Sequence, residues 1–176
     1  GFDMYGYAFV PPTPFLLKDW ERYDVSRHVD PGCVSPEEGK RTVPVPESEA
    51  RYSTIARDLK VLAGPRSLDR SVFLFHTPPH GTALDRAALD GIIVDHVQVD
   101  VHVGSIAVRR FIEDRRPWLT LHGLIHEAAR VTGHWQERLG QPRQTRAEGH
   151  PPPLGSTLRA GPEPWDPPRR WRPPPP

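Results

Sequence analysis

Residues 71–81 read SVFLFHTPPHG, an apolar run that ends at a histidine and a Pro-Pro turn. The four residues at 72–75 are apolar without alternation, which predicts a short strand that is buried on both faces. Strands of this kind are typical of parallel sheets, so the segment indicates an α/β protein. It also predicts that His76 lies at the carboxyl end of the strand.

Two elements are predicted before this strand. Tyr5, Tyr7 and Phe9 alternate with other residues, which predicts a strand that the following prolines stop. In residues 47–62 the apolar side chains recur at spacings of three and four, which predicts one helix that ends at Gly64.

After the strand, Ser105 is expected to cap a helix over residues 106–115, and residues 118–121 form another apolar run. Residues 130–135 are expected to return as a strand. The order of strand, helix and strand predicts parallel pairing. Such folds bind ligands at the carboxyl ends of their strands, which is where the histidine-rich loops begin.

The composition narrows the class of protein. A chain of 176 residues can hold one domain with a core, and its net charge of +1 gives no strong signal for nucleic-acid binding. No apolar run reaches the roughly 18 residues of a membrane span. The single cysteine, Cys33, excludes an internal disulfide and favours a cytoplasmic location.

The last 36 residues, 141–176, differ in kind from the rest, because twelve are proline and six are arginine. This composition cannot bury a core and predicts a disordered Pro/Arg-rich tail after a folded region at 1–140. The tail could bind a partner that recognises proline-rich segments. A frameshifted or mis-predicted terminus is the favoured interpretation, because the composition changes abruptly at Gly140.

The loops after the two apolar runs carry His76, His122 and His126. Neutral imidazole is a good ligand for Zn, Mn and Fe, and carboxylates complete such sites. Histidines at converging strand ends therefore indicate a metal or phosphate site, whereas a single histidine is more often structural.

The order of these segments resembles the second half of the calcineurin-like metallophosphoesterases. The resemblance covers about residues 72–140. Its features are HTPPHG at 76–81, HVGS at 102–105, AVRRFIE from 107, Pro117, and HGLIHE at 122–127.

This resemblance implies an incomplete calcineurin-like α/β/β/α sandwich and a partial metallophosphoesterase domain at 1–140. It also implies a pair of divalent ions of the Mn, Fe or Zn type that hold a phosphate ester and activate water. His76 and His126 match metal ligands of the family, and Leu124 stands where the family has another ligand histidine.

The sequence departs from the family pattern upstream of His76. The earlier Asp-x-His, Gly-Asp and Gly-Asn-His blocks are missing, and the chain contains no asparagine. The expected function is a metal-dependent phosphoesterase, impaired in this chain. The alternatives are a non-catalytic binding or regulatory protein that uses the half-fold and the tail, and a protein that binds one metal ion.

Other polar residues of this region have two interpretations each. His102 either contacts substrate or is structural. The aspartates at positions 85, 90, 95 and 100 form either an acidic rim or, the favoured interpretation, a solvated loop. His80 and His96 are expected to be exposed.

Overall fold

The computed structural model describes residues 1–139. Its elements, in chain order, are β1 (Asp3–Tyr7), α1 (Glu47–Tyr52), α2 (Ile55–Ala63), β2 (Ser71–Phe75), β3 (Ile93–Val94), β4 (Val97–Gln98), α3 (Ile106–Arg115), β5 (Leu119–His122) and α4 (Ala128–Thr132). The predicted tail lies outside the described residues. Within them, no helix is long and apolar enough to cross a membrane.

The predicted α/β class and the parallel pairing are confirmed. β2 lies between β1 and β5 and is parallel to both. Because all three strands run the same way, their carboxyl ends meet at one edge of the sheet. The loops that follow β2 and β5 both begin at this edge.

One face of the sheet carries the hydrophobic core. Phe73 and Phe75 of β2 point to this face and pack edge-to-face against Phe111 of α3. The other buried members of the cluster come mainly from α2 and α3: Ile55, Leu59, Ala63, Leu68, Ala107, Val108 and Ile112. Burial of this apolar surface is the main stabilising contribution to the fold.

The opposite face of the sheet is exposed, so the prediction of a strand buried on both sides is wrong. Leu74 of β2 is 43% exposed, and Leu121, its register partner on β5, is 48% exposed. Met4 on β1 and Leu119 on β5 share this face and are exposed as well. The two long helices pack on one side of the sheet, and the described residues leave the other side uncovered.

The single helix predicted upstream of β2 is divided in two. The break falls at Ser53 and Thr54, which both have extended backbones. The side chain of Thr54 accepts a hydrogen bond from the backbone N–H of Arg57 and so caps α2. A good N-cap residue inside an apolar pattern therefore starts a second helix at this position.

Two further differences lie downstream. Residues 128–132 form α4 where a returning strand was expected, and Gly133 ends this helix in the left-handed region. The hairpin of β3 and β4 was not predicted. Its turn consists of Asp95 and His96, which both have positive φ. Both residues are exposed, as expected for His96.

Candidate functional site

The loops that follow β2 and β5 are joined at the carboxyl edge of the sheet. The backbone N–H of Gly123 lies 3.2 Å from the carbonyl oxygens of both Phe75 and His76. The N–H of His76 in turn donates to Tyr7 on β1 at 3.0 Å. The convergence that parallel strands predicted is therefore present in the backbone.

Gly123 allows this close approach because it has no side chain. A Cβ atom at this position would lie 3.3 Å from the carbonyl oxygen of His76 and 3.9 Å from its ring carbon Cδ2. The first of these contacts is tighter than ordinary packing. A larger residue at position 123 would therefore push against the backbone of His76.

His76 is oriented by the backbone of the segment that follows β1. Its Nδ1 atom lies 3.1 Å from the carbonyl oxygen of Ala8. Because a carbonyl can only accept, Nδ1 carries the proton and Nε2 keeps its lone pair. The side chain is exposed, and this tautomer is the one that a histidine needs to bind a metal through Nε2.

His126 and Leu124 lie in the loop between β5 and α4. His126 is exposed, and no hydrogen bond is formed by its ring within the described residues. Leu124 has a φ of 70°, and the N–H of Ile125 donates to the carbonyl oxygen of Gly123 at 2.9 Å, so Leu124 is the central residue of a γ-turn. A γ-turn with a positive φ at its central residue is rare and strained for a residue that has a Cβ atom.

His122 has both ring nitrogens engaged. Nδ1 lies 3.0 Å from the carbonyl oxygen of Thr77, and Nε2 lies 2.8 Å from the hydroxyl of Thr120. The ring also stacks on Phe75, with the centroids 5.5 Å apart. Burial lowers the pKa of this imidazole. These contacts give His122 a structural role at the end of β5.

A second pair of loops is connected beside His76. The N–H of His80 donates to the carbonyl oxygen of Ser105 at 3.0 Å, and the N–H of Ser105 donates to Pro78 at 2.9 Å. Pro78 and Pro79 are buried, which fixes the backbone conformation of the segment from His76 to His80. The HTPPHG and HVGS segments therefore lie side by side.

Ser105 caps α3, as predicted, since its side chain accepts a hydrogen bond from the N–H of Val108 at 3.0 Å. Asp24 shares this task, which no sequence pattern indicated. Its carboxylate accepts from the N–H groups of Ile106 and Ala107 at 2.7 and 3.2 Å. Burial raises the pKa of this carboxyl group, although its hydrogen bonds oppose the shift.

Asp85 is fully buried, so the interpretation of a solvated loop is wrong for this residue. The other three aspartates, at positions 90, 95 and 100, are exposed as expected. The Oδ1 atom of Asp85 accepts from the N–H of Thr82 at 2.9 Å and lies 2.8 Å from Nδ1 of His102. Its Oδ2 atom accepts from the N–H groups of Gly81 and Gly104 at 2.9 and 3.2 Å. These four hydrogen-bond partners compensate for the loss of water around the buried Asp85 side chain. They also hold the surrounding loop segments together.

Gly104 is required for this arrangement. A Cβ atom there would lie 2.6 Å from the carbonyl oxygen of Pro78 and 2.8 Å from Cβ of Asp85. The glycine of the HVGS segment thus lets three loops meet. Gly104 is visible in the sequence, but its close contacts with Pro78 and Asp85 become apparent only in the folded structure.

His80 is only partly exposed, because Nε2 lies 3.3 Å from a carboxylate oxygen of Asp100. The other oxygen of Asp100 accepts from the N–H of His102 at 2.8 Å. Partial burial tends to raise the pKa of Asp100, but these two hydrogen bonds outweigh it and the pKa is lowered. The rings of His80 and His102 have their centroids 5.9 Å apart. Asp90 pairs instead with Arg86.

A cleft of about 720 Å³ runs along the open side of β5. Its lining includes His122, Gly123 and Trp135, but neither His76 nor His102. The cleft therefore lies beside the two histidine loops and does not connect them.

Within residues 1–139, no group of three or more histidine, cysteine, aspartate or glutamate side chains is arranged to hold a metal ion. The donors that suit an ion of the Mn, Fe or Zn type are the free Nε2 of His76 and the ring of His126. Both residues offer the type of ligand that such a site uses. No protein-family model, curated protein or solved structure was found to match this chain.

Proposed function

We propose that this chain is part of a calcineurin-like metallophosphoesterase domain, and that His76 and His126 bind a divalent metal ion of the Mn, Fe or Zn type. The observation that carries the proposal is the orientation of His76. Its Nδ1 is bonded to Ala8, and its free Nε2 lies in the loop that is joined to the loop of His126 through Gly123. Such an ion would supply a water activated for attack on a phosphomonoester or phosphodiester.

The exposed face of the sheet supports the finer proposal of an incomplete α/β/β/α sandwich. In such a sandwich a second sheet would cover the face that carries Leu74, Leu119 and Leu121. Contiguous exposed apolar patches of this kind commonly mark an interaction surface.

We also place His102 near the substrate phosphate in this proposal. The backbone bonds between Pro78 and Ser105 bring the HVGS loop against the loop that starts at His76. The side chain of His102 is 32% exposed, so a ligand can reach it.

The enzyme is expected to be impaired in this chain because its ligands are too few. Catalytic sites for zinc usually supply three protein ligands, and sites with two metal ions need more. His76 and His126 provide two, and leucine at position 124 provides none.

The proposal can be tested by hydrolysis of a chromogenic phosphodiester in the presence of Mn²⁺. The chain should show little activity, and any rate should be lost in His76→Ala and kept in His134→Ala, which changes an exposed histidine. A rapid rate that depends on His76 would contradict the proposed impairment. A rapid rate that His76→Ala leaves unchanged would contradict the metal ligand.

The alternative is a non-catalytic binding or regulatory protein, and the exposed sheet face favours it as well. Such a protein would bind its partner through Leu74 and Leu121, through the tail at 141–176, or through both. Removal of the tail and, separately, Leu74→Lys would each be assayed for partner binding. Binding that survives both changes would contradict this alternative.

A further inference from the structure

We propose that residues 13–21 and 38–43 form a self-association surface, through which two copies of this chain pack against each other about a two-fold axis. This part of the chain buries charged side chains on its inner side and exposes apolar ones on its outer side. None of its residues belongs to the histidine loops, so the surface is independent of the proposed metal site.

The inner side contains a buried ion pair. Lys18 is fully buried and Glu21 is 4% exposed. Nζ of Lys18 donates to Oε2 of Glu21 at 2.6 Å and to the carbonyl oxygen of Thr13 at 2.9 Å. The N–H of Thr13 donates to the same carboxylate at 2.9 Å. Because a buried ion pair stabilises a protein no better than an apolar pair of similar size, we infer that this one serves to fix a single conformation.

Backbone contacts hold the same conformation. The N–H of Lys18 donates to the carbonyl oxygen of Lys40 at 2.8 Å, and the N–H of Lys40 donates to that of Leu16 at 2.7 Å. Gly39 packs directly against Lys18, since an added Cβ atom would overlap Cγ of Lys18 and lie 2.5 Å from the carbonyl oxygen of Leu16. The surface is therefore preorganised, which reduces the entropy that binding costs.

The outer side is apolar. Five large side chains are exposed there, with exposed fractions of 72% for Phe15, 55% for Leu16, 53% for Leu17, 58% for Trp20 and 66% for Val43. The N–H and the hydroxyl of Thr42 donate to the carboxylate of Asp19 at 2.8 and 2.6 Å, which keeps Val43 beside Trp20. Exposed apolar residues next to buried charged ones reverse the usual distribution, and a patch of this kind indicates an interaction surface.

The area and the charge of the patch fit a second copy of the chain. The exposed parts of the five side chains amount to roughly 500 Å² per copy, which matches the apolar share of a standard interface of about 800 Å² per partner. The adjacent charged residues cancel, since they are Asp19, Glu38, Lys40 and Arg41. Two identical patches therefore do not repel each other, and a two-fold axis places Asp19 of one copy opposite Lys40 of the other.

Analytical ultracentrifugation of the full chain at a series of concentrations tests the proposal. The unaltered chain should show a reversible equilibrium between monomer and dimer. Leu16→Asp should weaken dimerisation by at least about thirtyfold, as expected when a central apolar contact is lost. The matched control Val61→Asp changes a side chain that is 76% exposed on α2 and should leave the equilibrium unchanged. A chain that is monomeric at every concentration, or equal dissociation constants in the two variants, would overturn the proposal.

A charge reversal tests the two-fold contact. Lys40→Glu should weaken the dimer by about fivefold or more, because it sets a like charge against Asp19 of the other copy, whereas Lys60→Glu, exposed on α2, should not. A dimer that Leu16→Asp leaves intact and Leu74→Lys dissociates would assign self-association to the sheet face and contradict the proposal.

Vesicles of phosphatidylcholine and phosphatidylserine test a different occupant of the same surface. A monomeric chain that binds these vesicles, and loses that binding in Leu16→Asp, would assign the surface to a membrane and contradict the proposal. A dimeric chain that does not bind them supports a second copy. No metal ion is added in any of these measurements, so failure of this surface and failure of the metal site are distinguishable.

Discussion

The N–H of Gly123 donates a hydrogen bond of 3.2 Å to the carbonyl oxygen of His76, and this bond joins the two loops of the candidate site. Gly123→Val should push against the backbone of His76, since even a Cβ atom would lie 3.3 Å from that oxygen. We expect the free energy of unfolding to fall by about 1–3 kcal/mol. Chemical denaturation would measure it.

The matched control is Gly6→Val on β1, where an added Cβ meets no atom within 4 Å. Valine favours strands, so this change should leave stability equal or slightly higher. Equal losses for the two variants would contradict a specific close approach at Gly123.

The positive φ of Leu124 predicts that its replacement by glycine is stabilising. A Cβ atom costs about 1–2 kcal/mol in this conformation, and the added chain entropy of glycine offsets part of the gain. Leu124→Gly should raise the free energy of unfolding by about 0.5–1 kcal/mol, whereas Leu121→Gly, within β5, should lower it. If Leu124→Gly lowers stability instead, the packing of the Leu124 side chain stabilises the protein by more than the strain of its backbone destabilises it.

Histidine at position 124 should change metal binding. Leu124→His adds an imidazole to those of His76 and His126. We expect affinity for Zn²⁺ to rise by more than about tenfold, because a third coordinating nitrogen is supplied. Calorimetric titration measures this, with Leu121→His as the control. Equal affinity in the two variants would mean that position 124 does not face the site.

Acidification should destabilise the protein through His122. Burial depresses the pKa of this imidazole, so the unfolded chain binds more protons than the folded chain once the pH falls below the ordinary value of 6.5. The stabilising contribution is present above that pH and is lost as the pH falls through the folded-state pKa. For a single titrating residue, the free energy of unfolding cannot change by more than about 1.4 kcal/mol per pH unit.

Denaturation at a series of pH values between about 7 and 5 measures this effect. His122→Gln should reduce the pH dependence, whereas His134→Gln, at an exposed position, should retain it. An unchanged slope in His122→Gln would assign the effect to other groups.

The two faces of β2 should respond differently to substitution. Phe73 is fully buried, so Phe73→Ala should cost about 3–5 kcal/mol. Its neighbour Leu74 is 43% exposed on the other face, and Leu74→Thr should cost about 1 kcal/mol or less. Similar losses would show that the second face is covered in solution.

Much of the fold could be predicted from local pattern. The apolar run at 71–75, the periodicity before Gly64 and the cap at Ser105 each specify an element through neighbours in the sequence. The burial of β2 could not be predicted in this way. A continuous apolar strand indicates that burial is favourable. Whether one or both of its faces are covered depends on where helices from distant parts of the sequence pack.

In the candidate site, too, local features could be predicted from the sequence and contacts between distant residues could not. His76 and His126 were identified from their positions after apolar runs, and the joining of their loops follows from parallel strands. Asp85 was missed, because its partners Gly104 and His102 are almost twenty residues away and only the fold brings them together. Asp24 is farther still from the helix that it caps, and an isolated aspartate gives no sign of such a contact.

We propose that His76 and His126 bind one divalent ion between the loops that Gly123 joins. The most direct measurement is an equilibrium titration of the unaltered chain with Zn²⁺, repeated for His76→Ala, His126→Ala and the control His134→Ala. We expect saturable binding that is lost in His76→Ala and His126→Ala and retained in His134→Ala. Binding of equal affinity in all four proteins, or no binding by the unaltered chain, would contradict it.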